Sequence, residues 1–148
     1  MQPANDTPFN ILLVDDIQED VLLTRQCFKH SDLKINLHHV SDGSACLSYL
    51  RNEGNFSSAP RPDLILLDLN MPVMTGQEVL MELASDDELN HLPVVVLTTS
   101  SDRNDVQTAY RLGCSSYVVK PVDFNEFQYA VRSIIDFWFR ISRLPDRT

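Results

Sequence analysis

The sequence predicts an α/β fold: an open, doubly wound sheet of five parallel strands with helices on both faces. Three observations carry this. Five apolar runs of strand length alternate with five stretches of helical periodicity along the chain. The central run, Leu64–Leu67, is continuously apolar, as a parallel strand covered on both faces has to be. The intervening helices supply the right-handed crossovers that parallel neighbours need.

The elements follow in order. Residues 10–14 are a short apolar run, after which Ile17, Val21, Thr24 and Phe28 recur at helical spacing. Residues 36–40 are weaker and partly polar, which suits a sheet edge, and Asp42 is placed to cap a helix carrying Ala45, Cys46, Tyr49 and Leu50. Residues 51–62 read as a polar loop. A helix beginning near Thr75 carries Val79, Leu80 and Leu83, and residues 93–98 form a fourth apolar strand. The next helix opens at Asp102 and stops where Gly113 supplies a C-terminal glycine. Residues 116–119 are the fifth strand, and Asp123 with Glu126 predicts a capping box for a last helix running to about Ile141.

Composition narrows the function. The 148 residues suit one domain with a real core, expected over residues 9–141, with short tails at 1–8 and 142–148. With so short a tail, no DNA-binding output is expected. A net charge of -9 opposes binding to nucleic-acid phosphates and anionic membranes. Cys27, Cys46 and Cys114 are an odd number without a CxxC pair, so free buried thiols are expected in place of disulfides or zinc. His30, His38, His39 and His91 lie in different elements without ligand spacing. No basic leader or membrane-length apolar run is present, and a cytoplasmic protein is expected.

The chemistry gathers at strand ends. Asp15 and Asp16 end the first strand, Asp68 follows the third, Thr98 ends the fourth, and Lys120-Pro121 follows the fifth. In an open parallel sheet the carboxyl ends of the strands are where ligands bind. Converging carboxylates repel, so a compensating cation is expected, and Mg2+ suits hard oxygen donors beside a phosphate. Asp68 is then the expected nucleophile on phosphorus, with Lys120 neutralising charge and Thr98 donating its hydroxyl to a phosphoryl oxygen.

These residues resemble the receiver domain of two-component response regulators. The likeness rests on Val14-Asp15-Asp16, Asp68-Leu69-Asn70-Met71-Pro72 with Gly76, Thr98-Thr99-Ser100, and Tyr117-Val118-Val119-Lys120-Pro121, and spans roughly residues 9–139. The resemblance implies the flavodoxin-like, CheY-like strand order 2-1-3-4-5. It implies that Asp68 accepts phosphate from a partner histidine kinase, and that Asp16, Asp68 and the backbone carbonyl of Asn70 hold Mg2+ with Asp15 close by. Thr98 and Lys120 would bind the phosphoryl group, Tyr117 would be the switch aromatic, and Lys120-Pro121 would be a cis peptide that aims the lysine. The loop at 51–62, the segment at 86–93 and the aromatic C-terminus resemble stand-alone regulators partnered with bacterial phytochrome-type kinases.

Other functions fit less well. A phosphatase of the haloacid dehalogenase type needs an acid two residues after its nucleophile, where this chain has Asn70, so no turnover enzyme is expected beyond self-phosphorylation and slow self-hydrolysis. An FMN carrier would have its phosphate repelled by Asp15 and Asp16. A phosphorylation-independent pseudo-receiver remains as the alternative.

The last helix carries too much apolar surface. Phe124, Phe127, Ala130, Val131, Ile134, Ile135, Phe137, Trp138, Phe139 and Ile141 cover about twice the ~100° stripe needed to dock on a sheet. The surplus faces either neighbouring loops or a partner. A homodimer through this helix and its neighbouring strand and helix, with Phe137, Trp138 and Phe139 in the interface, is the expectation.

Overall fold

The computed structural model describes residues 7–146 and contains five parallel strands in the order β2-β1-β3-β4-β5. They are β1 (Phe9–Val14), β2 (Ile35–Val40), β3 (Leu64–Leu67), β4 (Val94–Thr98) and β5 (Ser116–Val119). The helices between and after them are α1 (Gln18–Lys29), α2 (Gly43–Leu50), α3 (Gly76–Ala84), α4 (Arg103–Arg111) and α5 (Phe124–Asp136). The strand order and its alternation with helices are those expected. Most of the N-terminal tail, and the last two residues of the C-terminal one, lie outside the described residues.

Alternation along each strand divides the core. Leu12, Val14, Ile65, Leu67, Val94 and Val96 face α2, α3 and α4. Ile11, Leu13, Leu64, Leu66, Val95 and Leu97 face α1 and α5. Both faces are thus covered, which is why β3 has no polar residue among its four. Every side chain of β3 is buried, contributing on the order of 1.5–3 kcal/mol each.

Caps fix where the helices start. Asp42 accepts from the Ala45 N–H, and Asp102 from those of Asn104 and Asp105. The two-way capping box forms at Thr75 and Glu78; at Asp123 the bond formed is that of its carboxylate with the Glu126 N–H. Gly113 ends α4 at φ 102°, a left-handed conformation open to glycine. Gly76 has a different reason. A Cβ there would stand 2.5 Å from the Asp68 carbonyl oxygen, so only glycine lets α3 start beside the end of β3.

Three local features differ from expectation. The loop at 51–62 contains a 3-10 turn, Gly54–Phe56, whose Phe56 packs on the α2–α3 core and against Tyr49 at 5.4 Å. Past Asp136 the last helix widens into a π turn, Phe137–Ile141. That turn rotates Phe139 inward, where it is 2% exposed and stacked on Phe9 at 4.2 Å. Phe139 is therefore a core residue, which corrects its assignment to an interface. Leu144, within the segment expected as a tail, is buried in the same cluster. The Lys120–Pro121 peptide is trans, contrary to the expected cis form. The lysine needs no such device, because carboxylates on three other segments hold its ammonium.

Candidate functional site

Each site residue leaves the sheet at a strand end. Asp15 and Asp16 follow β1, Asp68 follows β3, Thr98 ends β4 and Lys120 follows β5. Because β1, β3, β4 and β5 are sheet neighbours in parallel register, their carboxyl ends open on one edge.

Asp68 is 4% exposed, with both oxygens engaged. Its Oδ1 accepts from the Thr98 hydroxyl at 2.7 Å and from the Asn70 N–H at 3.2 Å. Its Oδ2 accepts from Lys120 Nζ at 3.1 Å. Lys120 also donates to Asp15 Oδ2 at 2.8 Å and to Asp20 Oδ2 at 2.7 Å. Asp15 is 2% exposed; its other oxygen accepts from the Ile17 N–H, and its backbone carbonyl is bonded by His39 Nε2 at 2.7 Å.

Three carboxylates, those of Asp15, Asp20 and Asp68, share one ammonium. Burial pushes the Asp15 carboxyl above the usual aspartate range, against the pull of Lys120. Burial also works to discharge Lys120, but its hydrogen bonds to Asp15 and Asp20 and the charges of Asp15 and Asp68 more than offset this and raise its pKa. Lys120 is firmly cationic. Removing one member of a buried charge set of this kind costs about 3–5 kcal/mol.

One ammonium does not neutralise the cluster. Carboxylate oxygens of Asp15, Asp16 and Asp68 lie within 4.8 Å of one another, a hard-oxygen set that fits a divalent cation. Asp16 is exposed, as are Asn70 and Thr99, so the acidic pocket opens to solvent beside the buried Asp68 carboxylate. The histidines join no ligand cluster among the described residues; His39 bonds a carbonyl and His38 the side chain of Asn10. All three cysteines are buried and free, as expected.

The response regulator receiver domain model matches residues 11–132. The chain belongs to that family. It is a receiver domain of two-component signalling. It is similar to the response regulator Rcp1 of Synechocystis sp., 37% identical over 145 residues, covering 98% of this chain and 99% of that one. Among solved structures it is similar to the phosphorylated cyanobacterial phytochrome response regulator RcpA, with a TM-score of 0.92, 38% identity, and coverage of 95% of this chain and all of that one (100%). The Mn2+-bound form of Rcp1 superposes with a TM-score of 0.90 at 38% identity, covering 94% of this chain and 100% of that one.

As their places at the strand ends predict, Asp15, Asp16, Asp68, Thr98 and Lys120 come together, and Asn70 joins them through its N–H bond to Asp68. Tyr117 lies one shell out. It packs against the α2–α4 core, and its hydroxyl donates to the Ser100 carbonyl at 2.8 Å, tying β5 to the loop after β4. Two participants were not anticipated. Asp20 and His39 are brought in by α1 and the edge strand β2, and the signal for Asp20 was one more acid in the turn after the Asp15-Asp16 pair.

Proposed function

We propose that Asp68 is the phosphoacceptor of a cytoplasmic response regulator, and that a partner histidine kinase supplies the phosphoryl group. The observation carrying this reading is the buried Asp68 carboxylate held at once by Thr98 and Lys120, with Asp15 and Asp16 alongside. An Asp68 oxygen forms the O–P bond as the N–P bond of a kinase phosphohistidine protonated on its other ring nitrogen breaks, and the imidazole leaves neutral with the N–P electron pair. Lys120 and Thr98 then turn from the carboxylate to the phosphoryl oxygens. Asp16, Asp68 and the Asn70 carbonyl, with Asp15 adjacent, would hold Mg2+, which would supply positive charge opposite the transferring group. Asn70 stands where a hydrolase would carry its general acid, so phosphate is stored and only slowly lost.

The switch is a change of packing. A hydroxyl drawn from Thr98 to the phosphoryl group alters the space that Tyr117 occupies, and the β4–α4 loop follows through the Tyr117 bond to Ser100. Similarity to RcpA and Rcp1 supports a phytochrome-type kinase as the partner.

The output surface is a homodimer through α5 and its neighbours. An open groove of about 870 Å³ runs between β5 and α5, lined by Val118, Pro121, Tyr129, Ile134, Phe137 and Trp138. Tyr129 is 75% and Phe137 49% exposed, an aromatic surface that a second copy would cover.

Incubation with Mg2+ and acetyl phosphate, followed by intact-mass measurement, tests the reading. The native chain gains one phosphoryl group and Asp68→Asn gains none. No gain on the native chain overturns it.

A further inference from the structure

Asp20 is neither a member of the metal-binding trio nor the phosphoacceptor, yet it makes the shortest of the three Lys120 bonds: 2.7 Å, against 2.8 Å to Asp15 and 3.1 Å to Asp68. An ammonium has three N–H donors, and these three carboxylates saturate it. Two of them have another task. Asp15 and Asp68 belong to the trio that fits a divalent cation, whereas Asp20 does not. A cation on that trio would compete with Lys120 for the Asp15 and Asp68 carboxylates and would repel its charge.

Asp20 stands clear of that competition. It sits in the first turn of α1, with its side chain 21% exposed against 3% for both Asp15 and Lys120. We propose that Asp20 is the positioning residue of Lys120, holding the ammonium within reach of Asp68 while Asp15 serves the metal and Asp68 takes the phosphoryl group. The inference rests on Asp68 being the acceptor. An ordinary first-turn acid, serving only the helix dipole, would leave phosphoryl transfer untouched.

The test measures the rate of Asp68 phosphorylation by acetyl phosphate as a function of Mg2+ for the native chain, Asp20→Ala, Asp20→Glu, Lys120→Ala and the double variant. Native phosphorylation is the control; its absence defeats the acceptor reading and not this one alone. At saturating Mg2+, Asp20→Ala is expected to be slower by about 10-fold or more, since small misplacements of a catalytic group cost up to ~10²-fold. Asp20→Glu restores a carboxylate and recovers part of the rate, which keeps the test decisive if Lys120→Ala does not fold. In the Lys120→Ala background, Asp20→Ala adds no further loss, because it acts through the lysine. An unchanged rate in Asp20→Ala, a loss that excess Mg2+ abolishes, or a full additive loss in the double variant would each overturn the assignment.

Discussion

Val73 lies in the loop between Asp68 and α3 at φ 69°, a conformation that crowds a β-branched side chain, and that side chain is 83% exposed. Such strain costs about 1–3 kcal/mol, and no burial offsets it here. Val73→Asn tolerates the left-handed backbone and should raise stability by about 1 kcal/mol, read as a higher urea midpoint. Cys46 carries the clearest pH dependence. Its fully buried thiol is pushed from 9.0 up to about 12, by burial first and then by the charge of Asp42. Between those values the unfolded chain releases a proton that the folded chain keeps, so this contribution is complete below pH 9 and is lost as pH rises toward 12. Denaturation curves from pH 8 to 11 should therefore fall less steeply for Cys46→Ala than for the native chain. At this scale the sequence was most legible where chemistry and position coincide. The acid pair, Asp68, Thr98 and Lys120 all end apolar runs, whereas the bond from Asp20 to Lys120 joins residues 100 apart and follows no local pattern.

Among the elements, α5 shows where periodicity misleads. A constant ~100° per residue places Phe137, Trp138 and Phe139 around the helix as one aromatic band. The π turn breaks that count. It sends Phe139 into the core beneath Phe9 and leaves Phe137 at the surface, with Trp138 half-buried between them and edge-on to Phe137 at 5.4 Å. Part of the apolar surplus is thus absorbed within the protomer and part faces the β5 groove. The two phenylalanines should separate experimentally. Phe139→Ala is expected to cost about 3–5 kcal/mol of stability by leaving a core cavity. Phe137→Ala should leave stability nearly intact and shift sedimentation from dimer to monomer; a native chain that sediments as a monomer would contradict the dimer proposal. The caps were more legible than the helix end, because Asp42, Asp102 and Asp123 act on neighbours two or three residues away.

Across the whole molecule, five strands and two helical layers bring one end of the sheet to a single acidic point. The architecture was readable because every strand but the polar edge strand β2 is a mainly apolar run, and four of the five helices open on a capping side chain. Less visible were the contacts closing that end: His39 from the sheet edge on the Asp15 carbonyl, Asp20 from α1 on Lys120, and a trans Lys120–Pro121 peptide. These are products of tertiary packing, and sequence spacing carries little trace of them. The fold thus supplies a buried carboxylate at Asp68 and its counter-charge, and the solvent-facing Asp16 and Thr99 leave it reachable. The proposed chemistry is local: phosphate is to reside on the Asp68 carboxylate alone. Reduction of the phosphorylated protein with borohydride, followed by peptide mapping, converts an acyl phosphate to an alcohol at the residue that carried it. Homoserine at position 68 and nowhere else is the result predicted; reduction at another carboxylate, or phosphate recovered on a histidine or hydroxyl side chain, would contradict it.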